Sequence, residues 1–140
     1  MGYRYDEGGP TADLTVDTWG ATLEEVFKQV AIATFSAMTP LDKVMKTYTK
    51  EFEVEGEDLG ALLFNFVDEL LYIHEVELVV FSEFKVEISQ DRTTLKAVCY
   101  GEPFDLTRHE QGIAIKAVTF HNMSIEEKGG RWELRVVLDT

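Results

Sequence analysis

Two stretches of the chain carry apolar side chains at helical spacing, and they limit the possible folds more than any other sequence feature. Within residues 22–38, apolar residues recur every three or four positions, which places them on one face of a helix. Thr22, with Glu25 three residues later, has the pattern of a capping box. Thr39-Pro40 ends the segment, because the residue before a proline avoids the helical region. The first stretch therefore predicts an amphipathic helix.

The second stretch follows Gly56 and opens with two acidic residues, Glu57 and Asp58. Negative charge is favourable at a helix start, where the macrodipole is positive. Its apolar stripe comprises Leu59, Leu62, Leu63, Phe66, Val67, Leu70 and Leu71. This segment predicts a second amphipathic helix.

Most of the remaining sequence alternates apolar and polar residues, the pattern of strands with one buried face. The predicted strands cover residues 14–19, 48–55, 78–81, 84–89, 95–100, 113–123 and 132–139. Residues 91–94 and 127–130 have turn composition. We therefore predict an α+β fold, in which a mixed, mainly antiparallel sheet has both helices packed on one face. The length of 140 residues indicates a single domain, 1–140.

Composition excludes several classes of function. The formal net charge is −13, and no basic run interrupts it, so tight direct binding of nucleic acid is not expected. Cys99 is the single cysteine, which rules out a disulfide within the chain and favours a buried structural thiol. No apolar run is long enough to span a bilayer, and the N-terminus lacks signal-peptide features. We expect a cytoplasmic protein without a membrane partner.

Two aspartates lie at the ends of the first and last predicted strands of the sequence. Asp13 precedes the strand at residues 14–19, and Asp139 follows Val136-Val137-Leu138, with the carboxylate of Thr140 one residue further on. If these strands are neighbours, three carboxylates converge, and oxygen-only clusters suit Ca²⁺, Mg²⁺ or Mn²⁺. In the last strand Asp139 has the parity of Glu133, away from the apolar face. Two solvated strand ends are the alternative interpretation.

Lys116 interrupts the apolar run at residues 113–120. A side chain that snorkels at a sheet edge would explain it, and so would a cation held near the carboxylates or directed at a partner. The three histidines, His74, His109 and His121, have no metal-ligand spacing, so structural roles are expected for each.

Motifs for catalysis are missing from the sequence. There is no Gly-x-Ser-x-Gly and no credible Cys-His pair, and the Gly-rich pairs lack the strand-to-helix context of a phosphate loop. Nucleophilic catalysis thus has little support, while a glycosidase-like carboxylate pair stays open, because the 26 acidic residues offer many pairs and nothing singles one out.

Several segments, in order along nearly the whole chain, resemble the archease family. They are Thr11-Ala12-Asp13 with Trp19-Gly20, residues 22–27 and 35–39, residues 57–72, Gly101-Glu102-Pro103-Phe104, residues 116–121 and Val136-Val137-Leu138-Asp139. Each segment is weak alone, whereas their joint order and spacing are specific.

The resemblance implies a non-catalytic activator of an RtcB-type RNA ligase in tRNA splicing and RNA repair. Such proteins promote guanylylation of the ligase and its multiple turnover. It also implies a divalent metal, reported as calcium-like in the family, at Asp13, Asp139 and Thr140. Lys116, with Asp13 and Asp139, is implied in activating the ligase.

One position departs from the family pattern: Pro10 stands where the family usually has a histidine before Thr-Ala-Asp. The carboxylates are retained, so we expect the metal site to be intact. A generic chaperone or protein-interaction module for RNA-processing enzymes remains an alternative, as does, with less support, a small metal-dependent hydrolase.

Overall fold

The N-terminal strand pairs with the next described strand along the chain, and these two strands form one side of a four-stranded sheet. The computed structural model describes residues 1–6 and 13–140; Pro10 and Thr11-Ala12 therefore lie outside the described residues. The elements follow in the order β1 (Gly2–Asp6), β2 (Asp13–Gly20), α1 (Leu23–Met38), a short 3-10 turn (Leu41–Lys43), β3 (Tyr48–Glu55), α2 (Leu59–Glu77), β4 (Val79–Ile88), β5 (Thr94–Pro103), β6 (Ala117–Lys128) and β7 (Arg131–Asp139).

The strands form two antiparallel sheets. The first has the order β1-β2-β7-β6, and the second has the order β3-β5-β4. All the pairings among the described strands are antiparallel. The α+β class and the mainly antiparallel pairing are thus confirmed, and the strands that we assigned to one sheet are divided between two.

Both helices pack between the sheets. Helix α1 contacts β2 of the first sheet and β4 of the second, while α2 contacts β6 and β3. Phe35 of α1 stacks on Phe84 at 5.7 Å between ring centroids, and Phe27 of α1 meets Phe66 of α2 at 6.1 Å. A helix that buries side chains against two layers needs a wide apolar face, and α1 buries Ala33 as well as its predicted stripe.

The predicted helix starts are confirmed by their caps. In α1 the Glu25 N–H donates to the Thr22 hydroxyl at 3.1 Å, and the Thr22 N–H donates to the Glu25 carboxylate at 3.0 Å. In α2 the Asp58 carboxylate accepts from the Ala61 N–H at 2.8 Å. The reciprocal bonds in α1 and the single bond in α2 satisfy donors that a helix start leaves unpaired.

Three strand predictions need correction. Strand β1 was not predicted, although its alternating Tyr3 and Tyr5 pack against the core. Strand β4 is continuous across a bulge between Phe81 and Glu83, where we had predicted two strands. Strand β6 covers Ala117–Lys128 instead of residues 113–123: the Ile113 N–H bonds with the Ala37 carbonyl at the end of α1, and Lys116 bonds with Asp139 of β7 just before the strand begins. In the described part of the chain, no helix is long and apolar enough to cross a membrane.

Candidate functional site

The two terminal aspartates lie opposite each other in the first sheet. Strand β2 pairs with β7 in a register that places Asp13 against Asp139. Directly opposed residues of an antiparallel pair project to the same face, with Cβ atoms about 4.5–5.5 Å apart. Both side chains are half-buried, and Thr140 follows Asp139 directly. The structure therefore brings together the two carboxylates that the sequence predicted as neighbours.

Lys116 reaches the same end of the sheet from the other side of β7. Its backbone N–H donates to the Asp139 carbonyl at 2.8 Å, and the next residue, Ala117, is paired with Asp139. The Lys116 side chain is exposed. We had expected a lysine within an apolar strand, and that expectation was wrong: Lys116 immediately precedes the edge strand β6.

The position of Lys116 depends on how the preceding loop is anchored. The Gly112 N–H donates to the Met38 carbonyl at 2.6 Å, and the Ile113 N–H donates to the Ala37 carbonyl at 2.7 Å. These are carbonyls of the last turn of α1, which a helix end leaves without partners. A Cβ at Gly112 would collide with the Ala37 carbonyl, so only glycine permits this approach. The helix end thereby fixes the start of the segment that leads to Lys116.

A second charged cluster lies on the same face, closer to the centre of the sheet. Arg135 donates to Asp17 at 2.7 and 2.9 Å and to Asp6 at 2.9 Å. The hydrogen bonds from Arg135 lower the pKa of Asp17 and raise that of Arg135 itself. Sequence analysis missed this cluster; the outward parity of Arg135 in β7 was the available signal. Here a guanidinium, without a metal, can neutralise two carboxylates.

The residues at the Asp13 end fit a hard divalent cation by their chemistry. Carboxylate and main-chain oxygens are the donors that Ca²⁺, Mn²⁺ and Mg²⁺ take. Among residues 1–6 and 13–140, no three His, Cys, Asp or Glu side chains cluster as a metal site. Asp13 and Asp139 could supply two of the ligands, and a main-chain oxygen of Thr140 could supply a third.

A buried polar network supports the loop between β5 and Lys116. Glu102, only 4% exposed, accepts from the Met45 N–H at 2.7 Å and from His109 Nε2 at 2.9 Å, and it also pairs with Arg108. The Asp105 N–H donates to His109 Nδ1 at 2.9 Å, so Nε2 carries the ring proton. Burial alone would raise the pKa of Glu102, but the bonds from Met45, His109 and Arg108 outweigh it and lower the pKa to about 2.

This network was not predicted, although Glu102 falls in one of the segments of family resemblance. The other histidines have separate environments. His74 Nδ1 donates to the Val79 carbonyl at 2.8 Å, and His121 is exposed. Cys99 is buried, and burial raises the pKa of its thiol to about 12, so it is not a reactive nucleophile.

Comparison with known proteins gives one consistent family. The family profile described as "Archease protein family" matches residues 3–140. "Protein archease" of Pyrococcus abyssi is 44% identical over 139 residues, which cover 97% of this chain and 98% of that protein. "Protein archease-like" of Drosophila melanogaster is 37% identical over 141 residues, covering 97% of this chain and 90% of that protein.

Solved structures agree with the sequence comparison. The solution structure of Methanobacterium thermoautotrophicum protein 1598 is 38% identical and superimposes with a TM-score of 0.86, covering 99% of both chains. The crystal structure of "an archease, possible chaperone" from Thermotoga maritima is 20% identical, with a TM-score of 0.69 over 94% of this chain and 93% of that one; it shares the fold. With a profile match across nearly its whole length and close relatives in several organisms, this chain belongs to the archease protein family.

Proposed function

We propose that this protein is a non-catalytic activator of an RtcB-type RNA ligase, which acts in tRNA splicing and RNA repair. It promotes guanylylation of the ligase and repeated turnover. The observation that carries the proposal is the cross-strand pair Asp13–Asp139, with Lys116 tied to it through the Asp139 carbonyl. These are the positions to which the family resemblance assigns the activating role.

We propose that the carboxylate pair holds a divalent cation. The family resemblance favours calcium over Mn²⁺ or Mg²⁺. Asp13, Asp139 and Thr140 would be its protein ligands. When bound, the cation supplies positive charge that offsets the repulsion between two facing carboxylates. The protein contributes the register of β2 and β7, which holds the two aspartates in one geometry.

Lys116 is proposed to act on the partner. Its side chain is exposed, while its backbone is held at both ends, by the hydrogen bond to Asp139 and by the loop anchored on α1. An exposed ammonium on a fixed backbone is suited to contact a carboxylate or a phosphate of another molecule. We infer that it contacts the ligase or its nucleotide.

The acidic surface supports a protein partner. A net charge of −13 repels RNA and attracts a basic, RNA-binding enzyme. The words "possible chaperone" in the description of the Thermotoga maritima structure support the coarser form of this proposal, a generic chaperone for RNA-processing enzymes. Turnover of the ligase distinguishes the two, because a chaperone raises the amount of folded ligase and an activator raises the rate per folded ligase.

The metal component is tested by thermal unfolding with and without Ca²⁺ or Mn²⁺. A cation present at a hundred times its dissociation constant stabilises the folded state by about 2.7 kcal/mol, or roughly 5–10 °C in Tm for a domain of this size. Asp139→Asn should abolish this rise, whereas Asp42→Asn, an exposed aspartate of the 3-10 turn, should retain it. An equal rise in both variants would contradict the assignment.

A further inference from the structure

An apolar groove lies at Lys116, and several large apolar side chains that line it are exposed instead of packed in the core. The groove has a volume of about 600 Å³ and lies between the C-terminal part of α2 and the loop at residues 104–116, which is within the size range of ligand sites. Three large side chains on it are accessible: Leu78 is 65% exposed, Leu106 is 68% exposed and Ile113 is 46% exposed. Grouped exposed apolar residues mark interaction sites.

Leu78 is unfavourable for folding in two respects. It ends α2 in the left-handed region, with φ 54° and ψ 47°, a position that glycine or asparagine occupies with less strain. It also exposes most of an apolar side chain to water. Neither the left-handed backbone nor the exposed side chain of Leu78 stabilises the fold. An observed outlier of this kind supports a functional role.

The walls of the groove are fixed before anything binds. The Phe104 N–H donates to the Leu78 carbonyl at 2.7 Å, which joins the loop to the end of α2. The His74 ring, held by Val79, meets the Phe104 ring at 6.3 Å between centroids. A preformed groove loses little conformational freedom when it is occupied.

The charges around the groove indicate the chemistry of its occupant. Glu75 and Lys116 line the groove itself, and Asp68 lies with them in the depression that adjoins it; both carboxylates are exposed on α2. A second copy of this chain would bring another charge of −13 to this acidic rim. An RNA-binding enzyme, by contrast, carries Lys and Arg for phosphate contacts, and these side chains complement the rim.

We propose that this groove docks an apolar segment with flanking Lys or Arg from the RNA ligase. The inference rests on the proposed function and adds the contact surface. Leu78 and Leu106 would pack against the apolar side chains of this segment, while Asp68 and Glu75 would pair with its flanking Lys or Arg side chains. Docking here would hold Lys116 against the ligase without requiring Lys116 to supply the affinity.

The direct test is calorimetric titration of purified RtcB-type RNA ligase with the full-length protein. We expect Leu78→Asn and Leu106→Ser to weaken Kd about tenfold or more. Val76→Asn is the control, since Val76 is 59% exposed on the same helix but outside the groove; its Kd should equal that of the wild type. Leu78→Asn should unfold at the same temperature as the wild type or higher, because asparagine relieves the left-handed strain.

The role of the acidic rim is tested with two double variants, each of which removes two carboxylates. Asp68→Asn with Glu75→Gln should slow association and reduce its dependence on salt. Glu51→Gln with Glu55→Gln, two exposed residues of β3 in the other sheet, should change either quantity much less.

The outcomes separate the two levels of the proposal. Weaker binding confined to the groove variants would support the groove. Wild-type affinity in Leu78→Asn and Leu106→Ser would overturn the groove and leave the proposed function intact. A wild-type protein that does not bind the ligase would overturn both. Self-association that Leu78→Asn abolishes, measured by sedimentation, would identify the occupant as a second copy and contradict the assignment.

Discussion

Removal of the Glu102 carboxylate should destabilise the protein more than removal of any surface carboxylate. Glu102→Ala would leave the Met45 N–H and the His109 Nε2–H without an acceptor, and the His109 side chain is fully buried. A buried donor left without an acceptor costs roughly 1–3 kcal/mol, so the two together cost roughly 2–6 kcal/mol. That is a large part of the 5–15 kcal/mol typical of a whole domain.

Urea unfolding at neutral pH measures this cost. Glu83→Ala is the matched control, because Glu83 also forms an ion pair, with Lys46 at 3.1 Å, but on the surface. Exposed pairs contribute about 0–1 kcal/mol. Equal free energies of unfolding for Glu102→Ala and Glu83→Ala would refute the claim that burial makes this network contribute more to stability than an exposed ion pair.

The same network gives a pH dependence with a defined sign. The pKa of Glu102 is lowered to about 2 in the folded state, so its stabilisation is present above the unfolded-state pKa, near 4.5. That stabilisation is lost as the pH falls from about 4.5 towards 2. The shift corresponds to roughly 3 kcal/mol, and solvent at Arg108, whose side chain is 45% exposed, reduces it to roughly 2 kcal/mol. Glu102→Gln should lose less stability over this range than the wild type; an identical pH profile would contradict the argument.

Three further predictions concern other parts of the molecule. Lys116→Met should change the free energy of unfolding by no more than about 0.5 kcal/mol, because the side chain is exposed, yet it should no longer stimulate guanylylation of the ligase; full stimulation by this variant would remove Lys116 from the site. Gly101→Ala should destabilise the protein by several kcal/mol, on the order of 3 or more, since its methyl group would collide with the Val80 carbonyl across β4 and β5; a soluble variant with wild-type Tm would show that the strands can separate locally. Gel-shift titration of tRNA halves should show no specific binding below high micromolar protein, and tight, salt-sensitive binding would show that the surface charge was misjudged.

The parts of the fold that sequence analysis predicted are those fixed by local interactions. The capping box at Thr22 and the N-cap at Asp58 act within one helical turn, so both helix starts could be read directly. The pairing of Asp13 with Asp139 needed one further assumption, that their strands are neighbours. Side-chain parity then predicted that Asp139 lies on the same face of β7 as Glu133 and Arg135.

The parts that were missed depend on contacts between distant residues. Alternation shows that a strand has a buried face, but it does not specify which strands pair, so the division into two sheets was not apparent. Residues 113–116 have strand composition, yet the N–H of Ile113 bonds with the end of α1. Glu102 and His109 are ordinary polar residues in the sequence, and only the fold brings Met45 to them.

The most direct test of the central claim is a multiple-turnover ligation assay with a purified RtcB-type RNA ligase in excess RNA substrate. The proposal predicts that the wild-type protein raises the number of ligations per ligase well above one, and that Asp139→Asn, folded and at the same concentration, does not. Asp42→Asn, the exposed aspartate of the 3-10 turn, should stimulate like the wild type. Equal stimulation by Asp139→Asn, or no stimulation by the wild type, would contradict the account.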